Sequence, residues 1–175
     1  AEKAYLKTKD LKGLAITTLH KGYVFHTIND YSSAELELLR AKKMLIESNN
    51  QKYLIHTYNT LGNTYKSSFN FKKALIEYNN GLQLIKLNKK EIAALEEIKE
   101  EEYKIEEAVI LNNIGNLYLQ SNKYKLAIQF YEKSLRVLNL RNADVNLFIA
   151  NQASILDCKL NLNQLEGIEI PIKEI

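Results

Sequence analysis

A pattern of small and large residues that returns in register constrains this chain more than any other feature. The stretch 58–81 reads Tyr58-x-x-Leu61-Gly62-x-x-Tyr65, then Ala74-x-x-x-Tyr78-x-x-Gly81. The same order returns as Leu111-x-x-Ile114-Gly115-x-x-Tyr118, then Ala127-x-x-x-Tyr131-x-x-Ser134. A displacement of 40 lays residues 1–41 on 41–81, with Gly22 on Gly62, Phe25 on Tyr65, Ala34 on Ala74 and Leu38 on Tyr78. A displacement of 53 lays Gly62 on Gly115, Ala74 on Ala127 and Tyr78 on Tyr131. A fainter echo at 39 carries Asn112 to Asn151 and Gly115 to Ser154. Self-similarity of this kind marks a helical repeat protein, in which each unit buries its apolar face on its neighbours.

The spacing has a steric reason. Gly22, Gly62 and Gly115 let a second helix approach the first closely, and Ala34, Ala74 and Ala127 allow the reverse approach. Tyr65, Tyr118, Tyr78 and Tyr131 fill the space these small residues leave, as ridges fill grooves. Composition agrees. One Pro and six Gly in 175 residues favour long helices with short turns, and 46% apolar residues can build a core.

These markers resemble the tetratricopeptide repeat. That family's 34-residue unit carries Leu-Gly, then Tyr, then Ala, an aromatic and a second small residue at fixed offsets. The resemblance implies an all-α, right-handed superhelical solenoid of helix-turn-helix repeats with one extended helix, forming one unit over 1–175. Residues 1–10 end a preceding repeat, 15–48 form repeat one, 55–88 repeat two, 108–141 repeat three and 143–175 a degenerate repeat four. Repeat one departs at Lys21, where Leu is expected, and repeat four at Asp157, where Tyr is expected. The first helix of each repeat (helix A) is predicted over about 10–27, 50–67, 90–120 and 143–160. The second (helix B) is predicted over about 1–8, 31–48, 71–87, 124–138 and 164–174. Ser32, Asn70 and Asn122 stand where N-caps are expected.

Residues 89–107 are the one irregularity. Asn88 and Glu91 have capping-box spacing, and no Gly or Pro follows before Gly115, so a single long helix over about 90–120 is predicted. Leu95, Ile98, Ile105 and Val109 form an apolar seam on a Glu-rich segment. The seam either packs on helix B of repeat two or pairs with a partner, including a homodimer through residues 95–109.

No catalytic constellation stands out. His20, His26 and His56 lack metal-ligand spacing, and there is no phosphate-binding glycine loop or nucleophile elbow. Neither an enzymatic activity nor a cofactor or metal is expected. Cys158, the one cysteine, falls on an apolar helix face and reads as a buried thiol; it fits a reducing compartment and leaves a periplasmic one open. Basic and acidic residues are interspersed at a net charge of +3, without the clustered stripe of a nucleic-acid binder. No apolar run approaches a membrane span. The repeat pattern already runs at residue 1, so the chain reads as a piece of a longer protein.

Binding is the better-supported expectation. In the family it resembles, helix A positions 2, 5, 9 and 12 line a concave groove. They fall on Ile16, Leu19, Tyr23 and His26 in repeat one and on His56, Asn59, Asn63 and Lys66 in repeat two. In repeat three they are Val109, Asn112, Asn116 and Leu119, and in repeat four Phe148, Asn151, Ile155 and Cys158. The resemblance thus implies a row of amides, Asn59, Asn63, Asn112, Asn116 and Asn151, able to hold a peptide backbone. The cationic clamp that similar repeats use for chaperone carboxylates is missing, because Leu19, Tyr23, Val109 and Asn113 occupy its positions. Residues 9–15, Lys-Asp-Leu-Lys-Gly-Leu-Ala, are similar to a segment of bacterial signalling proteins with repeats of about 40 residues, ahead of a histidine kinase or DNA-binding module. The expected function is a non-catalytic peptide- or protein-binding scaffold in such a protein. The alternative is an oligomerisation element using the acidic helix 90–107.

Overall fold

The computed structural model describes residues 10–92, 97–138 and 145–162. They form an all-α repeat solenoid of seven helices, with no strand among the described residues. In chain order these are α1 (Leu11–Thr27), α2 (Tyr31–Glu47), α3 (Gln51–Ser67), α4 (Phe71–Ile92), α5 (Glu97–Gln120), α6 (Tyr124–Val137) and α7 (Val145–Asn161). Helices α1 and α2, α3 and α4, and α5 and α6 are the A and B helices of three repeats, and α7 is the A helix of the fourth. The expected B helices at 1–8 and 164–174 lie outside the described residues.

The packing markers act as their spacing predicts. A Cβ on Gly62 would lie 2.4 Å from the Tyr78 ring, one on Gly115 2.6 Å from the Tyr131 ring, and one on Gly22 2.6 Å from Leu38 Cγ. Any side chain there would drive the two helices of the repeat apart. Ala34, Ala74, Ala127, Leu38, Tyr78 and Tyr131 are fully buried. One core runs through α1 to α5, and a second, built from Ala127, Tyr131, Ile155 and Cys158, seats α7 on α6. Lys21, the departure from the repeat pattern, has an ionic partner. Its Nζ lies 2.8 Å from the carboxylate of buried Glu37 on α2.

Four turns share one geometry. Asn29, Asn49, Phe69 and Asn122 adopt φ of 62°, 48°, 59° and 56°. The N–H of the next residue then reaches back to a carbonyl five residues earlier: Asp30 to Phe25 (3.0 Å), Asn50 to Leu45 (2.9 Å), Asn70 to Tyr65 (2.8 Å) and Lys123 to Tyr118 (2.9 Å). This is the Schellman closure, which satisfies otherwise orphaned helix-end carbonyls. The following residue opens the next helix. Asn70 is an N-cap as predicted, its Oδ1 accepting from Lys73 N–H at 3.3 Å. The other two predicted caps are displaced. Asp30, not Ser32, caps α2 and accepts from Ser33 N–H at 3.1 Å. Lys123, not Asn122, occupies the N-cap of α6, because Asn122 takes the left-handed position before it. Asparagine suits both places, so its presence alone does not separate them.

The extension differs from the predicted single helix over 90–120. Helix α4 continues to Ile92 and α5 begins at Glu97, so the extra residues are shared between two helices. Asn88 is therefore no cap. It lies within α4, buried, and its Nδ2 donates to Tyr103 Oη of α5 at 3.4 Å. Of the seam, Ile105 lines a cleft beside Ile55 of α3. Leu95 lies outside the described residues.

Among the described residues each A helix approaches the next A helix (α1 to α3, α3 to α5, α5 to α7), whereas successive B helices make no close backbone approach. Long side chains bridge the B row, Lys42 to Glu77 at 2.9 Å and Lys73 to Glu35 at 3.2 Å.

Candidate functional site

Helix α3 carries two interleaved sets of residues. Leu54, Leu61, Gly62 and Tyr65 are buried, while His56, Asn59, Asn63 and Lys66 are half-buried on another face. Of this set His56, Asn59 and Asn63 share a cleft with α1, and Lys66 is not among its lining residues. Leu19, His20 and Tyr23 form one wall, and Tyr53, His56, Asn59, Thr60 and Asn63 form the other, enclosing about 380 Å³. The predicted groove residues Tyr23, His56, Asn59 and Asn63 thus come together. His20 and Tyr53 were not anticipated; each lies three residues before an anticipated one on its helix, which was the available signal.

The amides do not form one uniform row. Asn63 Oδ1 accepts from Tyr78 Oη at 2.6 Å, and Asn116 Oδ1 accepts from Tyr131 Oη at 2.8 Å. Both pairs link position 9 of helix A to the aromatic of helix B in the same repeat. A buried phenol needs an acceptor, and the asparagine supplies it. In repeat one the aromatic is replaced by Leu38, which has no hydroxyl, and position 9 is Tyr23, 54% exposed.

Beyond that shared bond the repeats diverge. In repeat three, Asn116 Nδ2 donates to Asn112 Oδ1 at 3.0 Å, and Asn112 Nδ2 donates to Asn151 Oδ1 at 3.1 Å. Asn151 Nδ2 donates to Ser134 Oγ and to Leu147 O, each at 3.0 Å, and Ser134 Oγ donates to Ala108 O at 2.7 Å. Asn151 is fully buried, so it is a packing residue and offers no surface to a ligand. Ile155 and Cys158 are likewise buried against α6, so repeat four contributes core at three of its four groove positions. Burial pushes the Cys158 thiol above its ordinary range, with Asp157 adding to the effect.

In repeat two, Asn59 Oδ1 accepts from Asn113 Nδ2 at 2.8 Å. Asn59 and Asn63 both line the cleft; each oxygen accepts one bond within the chain, and neither Nδ2 has an acceptor among the described residues.

Charge in the groove is positive or neutral. Lys66 makes no ion pair among the described residues, and burial lowers its ammonium pKa. His26 Nδ1 lies 3.2 Å from Thr64 Oγ1, whose single proton goes to Thr60 O at 2.8 Å. His26 therefore carries its proton on Nδ1 and donates it. Burial, then Lys66, pulls its pKa below the ordinary value, which favours the neutral ring. Across the groove wall, α5 fastens to α3 through Lys52–Glu102 at 2.7 Å and His56–Glu106 at 3.3 Å. Burial raises the Glu106 carboxyl against the opposing pull of His56 and Lys52. Among the described residues no group of His, Cys, Asp and Glu is arranged to hold a metal ion. None of their helices is long and apolar enough to cross a membrane.

The family model for the tetratricopeptide repeat matches residues 108–138, the A-to-B hairpin of repeat three. No curated protein matches the chain. With that match, the recurring helix pairs and the close-approach glycines in place, the described residues form a series of helix-turn-helix repeats consistent with tetratricopeptide-like repeats, a fold that typically serves as a non-enzymatic protein-interaction scaffold.

Proposed function

We propose that this protein binds a peptide or protein partner along the concave row of A helices, with the cleft between α1 and α3 as the main contact. The observation that carries this reading is a cleft walled by Tyr23, Tyr53 and His56 and lined by Asn59 and Asn63, whose Nδ2 groups have no acceptor among the described residues. Aromatic walls supply contact area at low entropic cost, and amide donors can hold a peptide backbone. Screening the chain against an array of dodecapeptides tests it. Bound peptides are expected to be lost on Tyr23→Ser and retained on Leu36→Ser, which changes an exposed residue of α2. Retention by the Tyr23 variant together with loss by the Leu36 variant would move the site to the other surface.

The wider setting we infer is the interaction region of a larger bacterial signalling protein. Residues 9–15 and the 40-residue spacing support it. Asp10 within that segment caps α1, accepting from Gly13 N–H at 2.9 Å. A kinase or DNA-binding module in the same reading frame is the expected finding. Self-association through residues 95–109 is the second reading. The Glu102 and Glu106 pairs to α3 weigh against it, since they fasten that face to the chain's own groove wall. Sedimentation across concentration tests it: a persistent monomer is the expected result.

A further inference from the structure

We propose that the edge formed by the A-to-B turns of repeats two and three docks on an anionic lipid surface, with Phe69 as its apolar anchor and Lys72, Lys123 and Lys125 as its phosphate contacts. Each A helix is followed by a B helix that returns along it, so these turns share one edge of the solenoid. None of their residues lines the α1–α3 cleft. The fold gathers cations on this edge. Residues 66–73 read Lys-Ser-Ser-Phe-Asn-Phe-Lys-Lys and 119–126 read Leu-Gln-Ser-Asn-Lys-Tyr-Lys-Leu, with no Asp or Glu in either. Lys73 is engaged by Glu35 at 3.2 Å and by the Tyr65 ring. Lys72, Lys123 and Lys125 are exposed and make no ion pair among the described residues. Lys72 and Lys125 stand in the first turns of α4 and α6, which hold no acidic residue and where the helix dipole disfavours a cation.

Phe69 is set out in the same way. Its backbone is left-handed, where the equivalent residues are Asn29 and Asn122, and its ring is largely exposed. A bulky residue is strained in that conformation, and here burial does not offset the strain. Phe71 packs on the core and meets the Phe69 ring edge-on, with centroids 6.2 Å apart, so Phe69 is the outer member of a rooted aromatic pair. At turn three, Lys123 and Lys125 line a cleft of about 290 Å³ together with Leu126 and Leu162. Cations beside apolar side chains match the chemistry of a bilayer boundary. A ring settles at headgroup level while lysines carry their charge along apolar stems to the phosphates. Packed helices stand ~8–10 Å apart, so the turns present their cations as a row, which suits a broad surface more than a pocket. Docking of this kind needs no spanning helix.

The chain has no Trp, so Phe69→Trp places a single indole at the edge, and Ile46→Trp places one at the other end of α2, where Ile46 is exposed. Vesicles of phosphatidylcholine, alone or mixed equally with phosphatidylserine, are titrated into the full chain. The phosphatidylserine vesicles are expected to shift the Phe69→Trp emission to the blue and to leave Ile46→Trp unshifted; phosphatidylcholine alone should shift neither. In co-sedimentation the unsubstituted chain should bind the anionic vesicles about tenfold more tightly than the neutral ones, and less tightly as salt is added. Phe69→Asn should lower that affinity about tenfold while raising the thermal midpoint, which separates lost binding from unfolding. Lys123→Gln combined with Lys125→Gln should also lower it about tenfold.

Binding that survives Phe69→Asn, or that is as tight on neutral vesicles, would overturn the proposal. So would no binding to anionic vesicles up to about 1 mM lipid. Salt-sensitive binding to polyglutamate or an oligothymidylate as tight as to the anionic vesicles, with no blue shift from Phe69→Trp, would assign the edge to a soluble polyanion and overturn lipid as its occupant.

Discussion

Repeats two and three carry the same packing code and use its polar residues differently. Gly62 and Gly115 meet Tyr78 and Tyr131 in the same way, and Asn63 and Asn116 take the phenol protons at 2.6 and 2.8 Å. In repeat three the other half of the amide is consumed by Asn112, and the bonding runs on through Asn151 and Ser134 to Ala108 O. In repeat two it has no acceptor among the described residues, and Asn63 lines a cleft. One residue type at one register position thus seals an interface in one unit and opens a surface in the next. The difference lies in the neighbour one turn earlier: Asn112 Oδ1 accepts from Asn116, whereas Asn59 Oδ1 accepts from Asn113.

The sharpest way to break this comparison is to delete the two amides. Asn116→Ala leaves the Tyr131 phenol proton without its acceptor and Asn112 Oδ1 without its donor, and should cost about 2–4 kcal/mol in urea unfolding. Asn63→Ala orphans Tyr78 Oη alone and should cost about 1–3 kcal/mol. Most of the second loss should vanish in a Tyr78→Phe background, where no phenol needs an acceptor. Equal losses at the two positions would mean that the extended bonding in repeat three adds nothing.

The glycines come next. Gly62→Ala drives a methyl against a rigid, fully buried ring and should cost about 2–3 kcal/mol. Gly22→Ala meets Leu38, whose branched end can change rotamer, and should cost about 1 kcal/mol by the same measurement.

Smaller effects belong to the turns. Phe69 and Asn122 are equivalent, and both are left-handed, at φ of 59° and 56°. A bulky residue is strained there, and Phe69 is 81% exposed, so its ring recovers little by burial. Phe69→Asn should raise stability by about 0.5–1 kcal/mol, read as a higher thermal midpoint. The smallest effect is a pH dependence. The equivalent turn residues Asp30, Asn70 and Lys123 open α2, α4 and α6, and of these side chains only Asp30 titrates in acid. Hydrogen bonds from Ser33 hold its carboxyl below the ordinary carboxylate range. Its capping contribution is therefore complete above the unfolded pKa and is lost as pH falls through the lower, folded pKa. Amide exchange in the first turn of α2 should quicken on acidification through that window, while the first turn of α4 should show no such step attributable to its cap.

The fold was largely legible because its rules are local and steric. A Gly that must lie against Tyr78 and an Ala that must lie inside a hairpin leave a spacing that needs no coordinates to read. The boundary between α4 and α5 was not legible, because Asn88 with Glu91 offers cap spacing inside what is a continuing helix. Its actual role, a buried bond to Tyr103, depends on a helix folding back. The site was legible as a face and not as a function of each atom. The resemblance to the repeat family placed Asn59, Asn63, Asn112 and Asn116 on one face. It carried no information on which amide oxygen would meet a phenol, or that Asn151 would be sealed between α6 and α7. Those outcomes are set by partners 15 to 54 positions away in the chain.

The bonded chain from Tyr131 through Asn116, Asn112 and Asn151 to Ala108 also has a mechanical meaning. Apolar contacts tolerate sliding and rotation, whereas hydrogen bonds are directional and fail when their donors turn away. In a linear array each junction contributes its own stiffness, because a unit touches only its neighbours. The junction of α5, α6 and α7 is crossed by four such bonds, linked through a fifth within α5, and resists torsion. The junction of α1 and α3 has an open cleft at its centre. Repeats one and two are joined instead by separate bonds, among them Tyr65 Oη to Glu35 and His26 to Thr64, so the groove we propose for a partner lies at a junction of another kind.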